Sequence, residues 1–438
     1  MDGPAGYKGK ALEFLRAAGA GIGDVIEVST DWGKVTGTLV PRYLSADDSH
    51  IVLKLKSGYN VGLKTSGLSR PKVVAKGEMP SFSVPDRTNT RAGVPRVLLL
   101  GTGGTIASRV DYRTGAVHPA VGSADLYALV PELSEIADVE PEILFNVFSE
   151  NIEPPHWSKL AVRVAKAVSQ GYRGVVVTHG TDTLGYTAAA LSFALSGIPI
   201  PVVLTAAQRS SDRPSSDAPL NLVGSVSVAA QAGFSGVYVA MHHSESDEDI
   251  GVHRGPRVRK NHTSRRDAFV SVGVPLAAVW NRRGIHEVGP DLPRRGTAKQ
   301  FAAKPKFDGN VALLKFYPGM PSSLVVALKR LKMRGLVIEG TGLGHISSGD
   351  ISAVRGFVKA GGMVCVTSQC INGRVDLNVY DTGRDLAGAG ALPLEDMLPE
   401  TALVKAMWAL ANTGSVAEAK KVMVTDLVGE MTRRRLPG

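Results

Sequence analysis

Residues 96–107 read RVLLLGTGGTIA, and residues 171–183 read GYRGVVVTHGTDT. Each is a continuous apolar run that ends abruptly in glycine and threonine. Strands that are apolar at every position suit burial on both faces, as in a parallel sheet. The same texture returns in IPIPVVLTAAQ (198–208), GVYVAMHH (236–243), RGLVIEGTGLG (334–344) and GGMVCVTSQ (361–369). Helical stretches such as TAAALSFALS (187–196) and SSLVVALKRLKM (322–333) lie between them. This alternation predicts an α/β architecture with parallel sheets.

Outward from that stretch, the chain changes character twice. Residues 1–75 carry a short helical segment, Lys10 to Ala18, then brief alternating runs broken by DWGK, ADDS and KSGY. Turn-punctuated strands of this kind predict a small all-β barrel, an adaptor with no polar constellation of its own. Residues 76–94 are polar and rich in Pro, Ser, Thr and Asn, a linker by composition. The α/β region is expected as one lobe over 95–300 and a second over 301–438. The Arg/Gly/Pro-rich segment 282–307 is expected to join them.

Composition excludes several classes. The 438 residues are 44% hydrophobic and 21% charged, as in globular proteins. No apolar run suits a membrane span or a signal peptide, so a cytoplasmic protein is expected. Two cysteines, Cys365 and Cys370, cannot build a disulfide framework. The net charge is +10. Residues 253–306 hold 13 Lys and Arg against 3 Asp and Glu, so this one segment carries the whole surplus. It is expected to attract an anionic substrate, an acidic partner or a nucleic acid.

In open α/β sheets, ligands bind beyond the carboxyl ends of the strands. The first such end presents Gly101-Thr102-Gly103-Gly104-Thr105. It matches neither the dinucleotide fingerprint nor the phosphate loop. Its glycines let the backbone turn and approach a ligand, leaving a hydroxyl to act as a cap or as a nucleophile. The second end, His179-Gly180-Thr181-Asp182-Thr183, offers two hydroxyls and a carboxylate. A Thr hydroxyl attacks only when a base takes its proton. Asp182 suits a substrate ammonium or a lysine, and Lys260 in RVRKNHT is a candidate partner and base. The His242–Asp249 cluster with His253 lacks the spacing of a known metal motif, so no metal is expected. Cys365 lies in an apolar run and reads as core.

TGGTIA at 102–107 and HGTDT at 179–183, in this order and separation, resemble the two signatures of the L-asparaginase family. The likeness covers about residues 95–438. TSQCINGRVDLNVYDTGRDL (367–386) and EDMLPETALVKAMW (395–408), with the N-terminal extension, narrow it to the D subunits of archaeal glutamyl-tRNA(Gln) amidotransferases. The resemblance implies a fold of two asparaginase-like α/β lobes preceded by the barrel. It implies Thr105 as nucleophile, Tyr112 as its neighbour, and Thr181, Asp182 and Lys260 as a second catalytic group. It implies substrate contacts at Ser149, Glu150 and Ala207. A carboxylate at Glu150 departs from the glutamine usual in asparaginases. The implied reaction is hydrolysis of L-glutamine to supply ammonia to a partner E subunit. That partner would use ATP and magnesium to convert Glu-tRNA(Gln) to Gln-tRNA(Gln). This chain would carry no cofactor, would meet tRNA mainly through its partner, and would form a homodimer within a heterotetramer. A free-standing L-asparaginase and a binding protein on a dead fold are the alternatives.

Overall fold

The computed structural model describes residues 6–40, 42, 47–55, 60–77, 93–103, 108–110, 117–119, 130, 132–209, 216–296 and 301–432. The chain divides into two compact units, one of residues 1–90, 105–131 and 207–219, the other of 91–104, 132–206 and 220–438. Most of the expected linker, 78–92, lies outside the described residues.

In the first unit, helix α1 (Gly9–Arg16) precedes strands β1 (Val25–Thr30), β2 (Gly33–Leu39), β3 (His50–Lys54), β4 (Asn60–Lys64) and β5 (Lys72–Ala75). The strands pair antiparallel in the order β4-β3-β2-β1-β5. Alternation along β1 and β2 sends Ile26, Val28, Val35 and Leu39 inward, where Ala11 and Leu15 of α1 meet them. Tyr7 donates its hydroxyl hydrogen to Val40 O (2.8 Å) and accepts from Val52 N–H (3.0 Å), so the phenol buried in this core is satisfied twice. A short antiparallel pair, β7 (Ser108–Val110) with β8 (Val117–Pro119), also belongs to this unit.

The second unit holds both lobes. The first lobe is one eight-stranded sheet. It contains β6 (Arg96–Gly101), β9 (Asp138–Ile143), β10 (Gly174–Thr178), β11 (Pro201–Thr205), β12 (Gly236–His242), β13 (Ile250–Arg254), β16 (Ala278–Asn281) and β17 (Gly284–Glu287). The order is β17-β16-β13-β12-β11-β10-β6-β9. From β9 to β12 every pairing is parallel, as the continuous apolar runs require. Beyond β12 the sheet turns antiparallel. For β13 the reason is connection length: a parallel neighbour needs a crossover of a dozen or more residues, and residues 243–249 are too few. The sheet is therefore mixed, and β17 lies inside the segment expected only as a connection. Between β13 and β16 the chain leaves the sheet to form a separate ribbon, β14 (Val258–Lys260) with β15 (Phe269–Ser271).

Helices α2 (Leu133–Ile136), α3 (Pro154–Ser169), α4 (Leu184–Ala194) and α5 (Ala218–Gln231) accompany this lobe. The second lobe is a four-stranded parallel sheet of β18 (Val311–Lys315), β19 (Gly335–Gly340), β20 (Met363–Ser368) and β21 (Ala391–Pro393). Its helices are α6 (Ser323–Arg330), α7 (Ser348–Lys359), α8 (Asp381–Gly388), α9 (Pro399–Asn412) and α10 (Val416–Met423). The two lobes share α4. Leu184, Ala188 and Leu191 pack on the first sheet, while Ala189, Ala190 and Phe193 pack against α9, with Phe193 stacked on Trp408. A helix covered on both sides has no polar face, which is why TAAALSFALS is apolar all round. None of the described helices is long and apolar enough to cross a membrane.

Candidate active site

Parallel register brings three strand ends to one level. Thr178 of β10 pairs with Gly101 of β6 on one side and with Thr205 of β11 on the other. The backbone continues the alignment past the sheet. Thr102 N–H donates to Thr178 O (3.1 Å), and His179 N–H donates to Thr205 O (3.0 Å). Thr102 is buried and its hydroxyl also donates to Thr178 O (2.8 Å), so the two signature loops are tied together at their roots.

Glycine is required at two of these positions. Gly103 has φ +126°, and a Cβ there would lie 2.1 Å from Val147 O. At Gly180 a Cβ would lie 2.7 Å from Ser149 Cβ. Both glycines thus admit the same segment, 147–149, against the strand ends. Thr183 fixes it by donating from Oγ1 to Ser149 O (2.6 Å). Ser149 is buried and Glu150, on the same short turn, is exposed. Ala207 follows β11 by two residues in the chain and is partly buried.

Behind the second loop a polar chain is complete. Trp157 Nε1–H donates to Thr187 Oγ1 (3.0 Å), which lies 2.8 Å from His179 Nε2. His179 Nδ1 lies 2.7 Å from the carbonyl of Gly180. A carbonyl only accepts, so Nδ1 carries the proton and Nε2 accepts from Thr187. Burial pushes the imidazole down to about 4, so it stays neutral and acts as a spacer under Gly180. Nothing in the local sequence foretells this role, because it depends on burial and on Thr187 of α4, itself held by Trp157 of α3.

Lys260 ends β14, the strand that leaves the sheet. Its Nζ donates to Thr181 Oγ1 (2.8 Å) and to Asp182 Oδ1 (2.8 Å). Thr181 therefore spends a lone pair on the ammonium and keeps its own hydrogen to donate. The lysine side chain is 15% exposed and the Asp182 side chain 69%, so the trio opens to solvent on its carboxylate side. Asp182 and Lys260 are brought together from 78 positions apart in the chain. Thr105 and Tyr112 lie outside the described residues.

The remaining expectations divide. Among the described residues no cluster of His, Cys, Asp or Glu suits a metal. His242 meets Asn221 Oδ1 through Nδ1 (2.7 Å) and Asp247 through Nε2 (3.2 Å). Cys365 is buried, its thiol pushed up to about 12 by that burial. Several arginines of the basic segment are engaged in ion pairs. Arg257 pairs with Asp396, Arg259 with Glu400, Arg265 with Asp267, Arg266 with Asp247 and Arg294 with Glu287. Arg295 donates to the carbonyls of Ala232, Arg173 and Ala229, which makes it a brace of the fold rather than a docking charge. Arg282 and Arg283 stand exposed at the β16–β17 turn.

This fold and these loops define an asparaginase-type α/β protein. The family model for the asparaginase N-terminal domain matches residues 96–288, and the glutaminase/asparaginase C-terminal domain matches 310–423. Among solved structures, the thermostable L-asparaginase from Thermococcus kodakarensis superposes with a TM-score of 0.69 at 34% identity, covering 77% of this chain and 100% of its own. L-asparaginase I from Vibrio cholerae gives 0.66 at 26%, covering 77% and 99%. Residues 20–74 match the GatD N-terminal domain. The glutamyl-tRNA(Gln) amidotransferase D subunit of Metallosphaera sedula is 49% identical over 98% of this chain and 97% of the relative. That of Pyrococcus abyssi is 47% identical over 96% and 97%. The chain belongs to the family of glutamyl-tRNA(Gln) amidotransferase D subunits.

Proposed function

We propose that this chain is the glutaminase subunit of a tRNA-dependent amidotransferase. The observation that carries the reading is the Lys260 ammonium, which donates at 2.8 Å to both Thr181 and Asp182 of the second signature loop. The Thr105 hydroxyl, assisted by Tyr112, attacks the side-chain carbonyl carbon of L-glutamine. The proton given up by the Thr105 hydroxyl is relayed through Tyr112, Thr181 and Lys260 to the departing nitrogen, which leaves as ammonia. Water then releases glutamate from the acyl-enzyme, with the proton returning along the same route. Ser149, Glu150 and Ala207 hold the amino-acid end of the substrate, and the Glu150 carboxylate suits its α-ammonium. Backbone N–H groups at the strand ends stabilise the oxyanion.

Ammonia passes to a partner E subunit, which activates Glu-tRNA(Gln) with ATP and magnesium. The chain itself uses no cofactor and works in the cytoplasm. It pairs as a homodimer within a heterotetramer and meets tRNA mainly through its partner. The match at residues 20–74 supports this reading over a free-standing asparaginase, because an amide hydrolase has no need of an adaptor.

The test is amide hydrolysis by the purified chain, alone and then with the partner and Glu-tRNA(Gln). Strong stimulation of glutaminase activity is expected, and Thr105→Ala is expected to abolish it in a folded protein. Full activity of that variant would remove the nucleophile. Vigorous asparagine turnover by the chain alone, without stimulation, would favour the asparaginase.

A further inference from the structure

The segment that delivers Lys260 is held from the second lobe. Arg257, on the short turn Gly255–Arg257 just before β14, is fully buried. Its Nε donates to Gly429 O (3.0 Å), Nη1 to Asp396 O (3.0 Å) and Nη2 to Asp396 Oδ2 (3.1 Å). Thr401 of α9 donates from Oγ1 to Pro256 O (2.9 Å). Glu400 pairs with Arg259 at 3.3 Å. Gly255 presses so closely on α4 that a Cβ there would lie 2.6 Å from Ser192 Oγ and 2.9 Å from Ala188 O.

The acceptors of Arg257 are themselves fixed. Asp396 takes the Thr432 N–H (2.8 Å) and hydroxyl (2.5 Å). The residue before it, Glu395, holds φ +54°, a conformation a non-glycine residue keeps only when its surroundings impose it. The C-terminal segment is anchored by Lys405, which donates to Met423 O (3.1 Å), Thr425 O (2.6 Å) and Glu430 Oε1 (2.5 Å). Glu430 in turn accepts from the N–H groups of Leu427 and Val428.

A buried guanidinium is a costly way to fill space, since an apolar side chain of similar volume packs as well or better. Its return is direction. Five donors in a rigid fork match acceptors at one orientation only. β14 is extended and paired with β15, so a shift at Arg257 is passed along three residues to the backbone from which the Lys260 side chain reaches Thr181 and Asp182.

We propose that Arg257 is a positioning residue for Lys260, and that Asp396 and the C-terminal segment 425–432 set its aim from the second lobe. The proposal rests on Lys260 being part of the hydrolytic machinery. It gives the second lobe and the segment that follows α10 a part in the chemistry through residues that lie outside the Thr181, Asp182 and Lys260 trio.

The test uses Arg257→Lys in the full chain. The shorter side chain keeps a charge for Asp396 but cannot also reach the Asp396 and Gly429 carbonyls. A misplacement of about 1 Å in a catalytic group costs up to ~10²-fold. The kcat for glutamine is therefore expected to fall about ten- to hundredfold, with KM within about twofold. In a Lys260→Met background the same change is expected to lower the residual kcat no further, because residues acting as a unit are not additive. Thr401→Val, which loses one hydroxyl at the same turn, serves if Arg257→Lys does not fold, and is expected to lower kcat about threefold with KM unchanged. A folded Arg257→Lys or Thr401→Val with unaltered kcat would overturn the inference. So would an equal fall with and without Lys260, which would mark a general structural defect. Full activity in Lys260→Met alone would instead overturn the reading on which the inference stands.

Discussion

Lys260 and Lys405 each hold a carboxylate, and their surroundings make them opposites. Lys260, at the end of β14, reaches a threonine hydroxyl and an aspartate that is mostly exposed. Lys405, in the middle of α9, is completely buried, and its ammonium is used up on two carbonyls and Glu430. The first is poised at an edge where its threonine partner still has a hydrogen to give. The second has no donor left to offer. The pair teaches that the chemistry of a lysine is decided by what remains unsatisfied around it, not by the presence of a carboxylate.

Substitution separates the two cleanly. Lys260→Met is expected to lower glutamine turnover by about 10²–10⁴-fold, the usual share of a positioned acid–base group. Its melting temperature is expected to change little, because Asp182 stays hydrated. Kinetics and thermal unfolding of one preparation check both halves, and an active Lys260→Met would end the comparison. Lys405→Met is expected to do the reverse and cost about 3–5 kcal/mol of stability, because it strands Glu430 in the core. Lys405→Met with Glu430→Met is expected to recover most of that loss in denaturant unfolding. A double variant no better than the single would show that Glu430 is not the source of the cost.

Acid sharpens the same contrast. The first lobe buries His179 and His253 as neutral rings, pushed down by burial to about 4 and about 3. An unfolded histidine takes its proton near ~6.5, so between that pH and about 4 the unfolded state binds more protons. Stability from these groups is present above ~6.5 and is lost as pH falls through that window, on the order of 3 kcal/mol for each ring. Melting temperature against pH is expected to drop there, and His253→Gln to flatten part of the drop. A profile unaffected by His253→Gln would place the acid sensitivity elsewhere. The smallest effect is expected at the exposed turn. Arg282→Ala with Arg283→Ala is expected to leave basal hydrolysis within about twofold and stability within ~0.5 kcal/mol. Any larger consequence is expected only in hydrolysis stimulated by the partner and Glu-tRNA(Gln).

The two lysines also mark how far the sequence could be read. Lys260 was legible because a threonine hydroxyl needs a base and the Asp182 carboxylate suits a lysine, which RVRKNHT offers. Lys405 in ALVKAMW gives no sign of its burial, since a lone lysine in an apolar helix reads as the exposed position. The charge of residues 253–306 was legible only as a sum. Composition counts the arginines, but only packing shows that Arg257, Arg259, Arg265, Arg266, Arg294 and Arg295 already have partners. The mixed sheet was half legible: apolar runs identify the parallel centre, and a short connection after β12 forces β13 to run antiparallel.

The sequence by itself determined the α/β class, the antiparallel N-terminal module and the strand-end loops with their glycines. These are local properties, set by periodicity, turn chemistry and the space a Cβ needs. Only the tertiary structure decided that His179 is a neutral spacer, that Arg257 is tied to the C-terminal segment, and which of the roles open to Lys260 it takes, as a donor to both Thr181 and Asp182. For Arg257 and Lys260 the hydrogen-bond partners lie 78 to 172 positions away in the chain, and for His179 the deciding factor is burial. Burial removes water as the alternative partner, so which distant group arrives decides what each polar side chain becomes.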